Sequence, residues 1–151
     1  MDMATDLSGS AARGAVGAMA MTGVRTFAGA LGIVEQTPPE AIATEAAVSL
    51  LSQVPPQRRE AAIEFLHWAV GAAGGAMFGL LPVAVRKWPW AGPAYGLAMW
   101  FGFENIVAPA LGLGRHQQPR AAERLVLAGD HLLYGLILAG LHPGRRRTGT
   151  G

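Results

Sequence analysis

Four stretches of the chain, residues 14–34, 65–85, 88–114 and 125–144, are nearly free of formal charge. The first holds only Arg25, the second none, the third only Glu104 and the fourth only Asp130. Crossing a hydrocarbon core of about 30 Å takes about 20 mostly apolar residues as a helix, so each stretch has the length of one crossing. Backbone groups in lipid must be satisfied within their own segment, which makes helix the expected state. A soluble bundle helix would carry a polar stripe at a 3.6-residue period. Residues 65–85, FLHWAVGAAGGAMFGLLPVAV, carry none. The pattern predicts an all-α fold, a four-helix transmembrane bundle in a single domain over 1–151, with helices at 12–34, 57–85, 92–113 and 122–141.

The segments between these helices have their own signals. Residues 1–12 read as a flexible head; Asp2 and Asp6 make it acidic, unlike a secretory leader. In the long loop 35–56, Thr37 and Glu40 stand at capping-box spacing with Pro38 and Pro39 between them. Ile42, Ala46, Val48, Leu50 and Leu51 then make 40–53 modestly amphipathic. Such a segment is either a short interfacial helix lying on the membrane or an exposed connector. Pro55 and Pro56 end it. Arg86, Lys87, Trp88, Pro89 and Trp90 form a tight junction of the kind found at a headgroup layer. Pro109, inside the third helix, is expected to kink it and to free the carbonyl of Asn105. Pro143 and Gly144 are expected to stop the fourth.

Composition narrows the chemistry. The chain is 51% hydrophobic and 15% charged, where soluble domains carry about 25% charged residues. The absence of cysteine excludes disulfides, Cys-ligated metal and thiol catalysis. A net charge of +2 gives no argument for nucleic acid. The serines, Ser8, Ser10, Ser49 and Ser52, lie outside the apolar stretches with no triad context. The glycines lie inside apolar helices, so none forms a nucleotide-binding loop. The balance is against an enzyme, and no cofactor is expected. Basic residues split almost evenly between the two sides of the bundle. Arg13, Arg86, Lys87 and Arg145 to Arg147 lie on one side, and Arg58, Arg59, Arg115, Arg120 and Arg124 on the other. Those nearest the membrane ends favour both termini in the cytoplasm.

Close packing of helices in lipid relies on small residues. Gly71, Gly75 and Gly79 stand at steps of four on the second helix, and Gly92 and Gly96 on the third. The ridge serves either the bundle's own packing or a homo-oligomer through helix 2. The lipid bilayer is the one partner the pattern requires; any small-molecule substrate stays unknown.

Polar residues inside the apolar stretches are costly and usually face a partner or a cavity. The ionisable ones at depth are Arg25, His67, Glu104, Asp130 and His131, helped by Asn105 and Tyr134. At 1.5 Å per residue, Arg25, Glu104 and Asp130 with His131 fall within one turn of the same depth, and His67 about a turn away. Arg25 is expected to neutralise Glu104 or Asp130. Three readings stay open here: a structural polar layer, a proton or solute path, and a divalent-metal site using His67, Glu104 and His131. His116 and His142 fall at helix ends and read as surface residues.

A set of short matches runs through 65–137. It comprises His67 and Trp68, the Gly71, Gly75 and Gly79 run, Gly96 and Trp100, Pro109 to Leu113, Gln118 and Pro119, Glu123, Asp130 and His131, and Tyr134 and Gly135. This pattern resembles the YagU-type family of small bacterial inner-membrane proteins. The resemblance implies a compact four-helix protein of the inner membrane and names no activity. His67 and His131 match the family's histidines. A third histidine of that pattern, ahead of the proline, is replaced here by Glu104 and Asn105.

Overall fold

A computed structural model of the chain describes residues 3–33, 52–110 and 121–140. All regular structure among them is helical. Helix α1 spans Met3–Ala30. A 3-10 turn, Pro56–Arg58, leads into α2, Arg59–Leu80, and a single helical turn follows at Val83–Arg86. Helix α3 runs over Ala91–Gly102 and continues through a π-helical turn, Phe103–Val107, into Ala108–Ala110. Helix α4 spans Ala121–Ala139. The interfacial segment expected at 40–53 lies outside the described residues except for its last two.

The boundaries differ from the sequence expectations for local reasons. The head expected to be flexible is helical from Met3, and its Asp6 carboxylate pairs with Arg86 at 3.2 Å. Helix α1 ends earlier than residue 34, in a left-handed Gly32 (φ 69°). There Gly32 N–H donates to the Gly29 carbonyl and Ile33 N–H to that of Ala28, the paired bonds of a Schellman cap. Helix α2 stops at Leu80 instead of reaching 85. Pro82 disfavours helical geometry in the residue before it, and Leu81 is extended at ψ 146°. Helix α4 ends one residue before another left-handed glycine, Gly140, ahead of Pro143. Around Pro109 the strain emerges as the π turn. The Ala108 N–H reaches back five residues to the Phe103 carbonyl, as the missing proline N–H leaves the ladder short of a donor.

Helix α1 packs on α2, α3 packs on α4, and the two pairs meet chiefly through α1 and α4. Backbone lies against backbone at each pair. A Cβ on Gly75 would collide with the Ser10 carbonyl and lie 2.9 Å from Gly14 Cα; one on Gly71 would lie 2.5 Å from Ala18 Cβ. Gly79 faces the Ser10 side chain. Likewise Gly92 abuts the Gly135 carbonyl and Gly96 the His131 carbonyl. The α2 ridge is thus occupied by α1 of the same chain. A homo-oligomer through α2 would have to use that helix's other face.

Between the pairs lies a small core of Met21, Phe78, Ala91, Tyr134 and Leu138, with Leu81, Tyr95 and Met99 against it. Phe78 and Tyr95 meet edge to face with centroids 5.2 Å apart. Arg13 ties α1 to the last turn of α4, donating from Nε to the Leu138 carbonyl at 3.1 Å and from Nη2 to Ser10 Oγ at 3.1 Å.

The outside of the bundle is apolar. Phe27, Phe65, Phe101 and Leu125, one from each long helix, are 69%, 70%, 63% and 74% exposed. Arg25, Asp130 and Ser10 are buried. Among the described residues one helix, Pro56–Leu80, is long and apolar enough to cross a membrane by length and composition.

Candidate functional site

The buried charges gather on α1, α2 and α4. Arg25 sits five residues before the end of α1, and His67 eight residues into α2. At 1.5 Å per residue these are depths of about 8 and 12 Å from the end of the bundle where α1 finishes and α2 begins. Asp130 lies at the middle of α4. His67 thus starts about 4 Å deeper than Arg25 rather than nearer the surface, and its ring still lies against the guanidinium.

The Arg25 guanidinium is the hub. Its Nη1 lies 3.3 Å from His67 Nε2 and 3.7 Å from Asp130 Oδ2. Its Nη2 lies 3.1 Å from His67 Nδ1, donates to Thr22 Oγ1 at 3.4 Å, and lies 4.0 Å from Glu64 Oε2. A guanidinium only donates, and a neutral imidazole has one unprotonated nitrogen. One of the two His67 contacts is therefore a hydrogen bond and the other an electrostatic approach.

Thr22 joins the hub to the edge of the cluster. Its hydroxyl donates to Glu64 Oε2 at 2.6 Å and accepts from Trp68 Nε1 at 3.2 Å as well as from Arg25. The hydroxyl oxygen also lies 3.2 Å from the Ala18 carbonyl, and the shorter approach for its one proton is to Glu64. Glu64 also approaches His67 Nδ1 at 3.8 Å. The Glu64 side chain is 27% exposed, whereas that of Asp130 is fully enclosed. Neither Asp130 oxygen accepts a hydrogen bond from a described residue.

The polar layer expected from the sequence includes neither Glu64, one turn before His67, nor Trp68, and Thr22 carries no sequence expectation at all. A usable signal was present. Thr22 and Arg25 stand at i, i+3, and Glu64, His67 and Trp68 at i, i+3, i+4, so each set shares one helix face.

Of the other residues expected in the layer, Glu104 and Asn105 lie apart from it, while His131 and Tyr134 border it and bond elsewhere. Half-buried Glu104 makes no ion pair among the described residues. Asn105 is exposed and donates to its own helix at the Phe101 carbonyl, 2.8 Å away. His131 likewise turns back on α4, with Nδ1 2.9 Å from the Leu127 carbonyl. Tyr134 crosses the bundle, donating its buried hydroxyl to the Gly71 carbonyl at 2.6 Å. Tyr95 does the same to the Gly74 carbonyl at 2.8 Å. His67, Glu104 and His131 do not converge, and no three His, Asp or Glu side chains among the described residues could hold a metal ion together. The cation beside His67 is Arg25.

These features define a helical bundle with an apolar exterior and an arginine-centred polar cluster inside. No family model matches the chain, and neither a curated protein nor a solved structure matches it.

Proposed function

We propose that this chain is an integral membrane protein whose four long helices span a bacterial inner membrane, and that the Arg25 cluster fixes the register of α1, α2 and α4. The observation that carries the reading is the inversion of polarity. Large apolar side chains are exposed on all four helices, while Arg25 and Asp130 are 4% and 1% exposed. In water such a surface would be an aggregation hazard; in lipid it is the solvated face. Glycine-to-backbone contacts at both pairs fit helices that associate without a hydrophobic drive between them. The exposed Trp88 and Trp90 beside Lys87 suit a headgroup layer. The resemblance to the YagU-type family supports the same placement.

A polar cluster suits register better than greasy contacts do, because sliding one helix by a turn would strand a charge in hydrocarbon. The test uses the lack of native cysteine. Single cysteines replace the outward residues Met19, Val70, Phe101 and Leu132. In sealed vesicles they stay unlabelled by a membrane-impermeant maleimide and react with a lipid-soluble one. Labelling from water at these positions, or release of the protein by alkaline carbonate, would overturn the proposal.

A further inference from the structure

We infer that Asp130 is a proton-binding site, with Arg25 exchanging between two carboxylates, Asp130 inside and Glu64 at the edge, as the proton binds and leaves. The inference rests on the membrane reading above, which removes water from around Asp130.

The geometry of Arg25 leads to it. A carboxylate kept only as a structural counter-charge is normally gripped in a paired fork of short hydrogen bonds. Asp130 is not gripped. Its nearest guanidinium nitrogen is 3.7 Å away, beyond hydrogen-bond range, and neither oxygen accepts a bond from a described residue. Buried acceptors are otherwise nearly always satisfied. Glu64, at 4.0 Å from the same guanidinium, already accepts from Thr22. Arg25 thus lies almost midway between an enclosed acid with unused acceptor capacity and a partly open one that is already bonded.

Protonation resolves that arrangement. One proton from water forms an O–H bond on the Asp130 carboxyl, and Arg25 keeps Glu64 as its counter-charge. The formal charge of Arg25, Glu64 and Asp130 together goes from −1 to 0, with both histidines neutral throughout. The titratable and charged groups of the elements packed here are Arg25 from α1, Glu64 and His67 from α2, and His131 and Tyr134 from α4 itself; Tyr95 of α3 bonds to the Gly74 carbonyl instead. Glu64 and the partly exposed His67 lie on the more open side of the cluster.

The full chain in lipid nanodiscs is titrated by infrared spectroscopy. Its aspartates are Asp2, Asp6 and Asp130, so carbon-13 labelling of aspartate leaves few carboxyls to assign. The expected result is a protonated-carboxyl band that grows as pH falls and moves to lower frequency with labelled aspartate but not with labelled glutamate. It persists in the Asp2→Asn/Asp6→Asn chain and is lost in Asp130→Asn. In Glu64→Gln its midpoint moves to lower pH, because Arg25 then has Asp130 as its one carboxylate in the cluster. An absent aspartate-sensitive band, or a Glu64→Gln midpoint that stays or rises, overturns the inference. If Asp130→Asn does not fold, the labelled parent chain and the Asp2→Asn/Asp6→Asn chain still decide. A helical amide band in the nanodisc without the aspartate signal removes the proton site and leaves the membrane reading standing; failure to insert removes the latter.

Discussion

The two helix pairs share a packing device and differ in everything polar. Both α1/α2 and α3/α4 press glycine against a neighbouring backbone. The first pair adds Thr22, Arg25, Glu64, His67 and Trp68, which bond between helices. In the second, Asn105 and His131 bond only to their own helices. Polar side chains that cross a helix contact specify register, while those that fold back merely neutralise themselves. The α3/α4 pair therefore depends on shape, and the α1/α2 pair on shape and charge.

The largest test breaks shape alone. Gly92→Leu and Gly96→Leu drive a side chain into the Gly135 and His131 carbonyls. Backbone cannot give way as a side chain does, so the cost should reach the upper end of overpacking, about 3 kcal/mol or more. Gly129→Leu on α4 meets open space and should change stability by less than about 0.5 kcal/mol. Reversible unfolding in mixed micelles measures both. Equal losses at Gly96 and Gly129 would mean that α3 and α4 are not held by this contact.

Next in size is the charge on the first pair. Arg25→Met leaves Glu64 and Asp130 without the guanidinium that faces both of them. Removing one partner of a buried pair costs about 3–5 kcal/mol, whereas replacing both partners with apolar residues is often neutral. Arg25→Met should therefore destabilise strongly, and Arg25→Met/Asp130→Leu should recover most of the loss. A double variant as unstable as the single one would place the energy of Arg25 with His67 and Thr22 instead.

The same contrast separates the features that charge spacing dictates from those that single residues decide. Helix positions followed from charge scarcity, because a charge-poor stretch of that length has few alternatives. Helix ends did not, since they depend on single residues: Gly32, Pro82 and Gly140 each act locally and were outweighed by the long pattern. Depth arithmetic placed Arg25 and Asp130 at one level, but depth says nothing of direction. Asn105 is nine residues beyond the inward-facing Gly96, half a turn off at 100° per residue, and so faces out. Glu64 was hidden for another reason. It lies ahead of the charge-free stretch 65–85 and so outside the polar layer expected there, yet it sits on the same α2 face as His67 and Trp68.

A smaller effect separates the two tyrosines that bind α2. Tyr134→Phe removes a buried hydrogen bond to the Gly71 carbonyl and should cost about 1 kcal/mol. Tyr95→Phe, half-buried, should cost less, because water or a headgroup can replace its bond to Gly74. The reverse order would show that α3, not α4, locks the second pair onto the first.

The smallest effect lies at the far end of the bundle, where Arg86 does two things. It pairs with Asp6 at 3.2 Å and donates from Nε to the Leu81 carbonyl at 3.0 Å. That carbonyl lies at the break Pro82 makes in α2, where the helical ladder is interrupted. Asp6→Asn removes only the partly buried ion pair, worth about 1 kcal/mol and weakened by salt. Arg86→Ala removes that pair and the carbonyl bond together. The difference between the two variants at high salt, about 1 kcal/mol, isolates the bond that caps the break. If Asp6→Asn costs as much as Arg86→Ala, the ion pair alone holds this end of the bundle, and charge matters at both ends of the first pair.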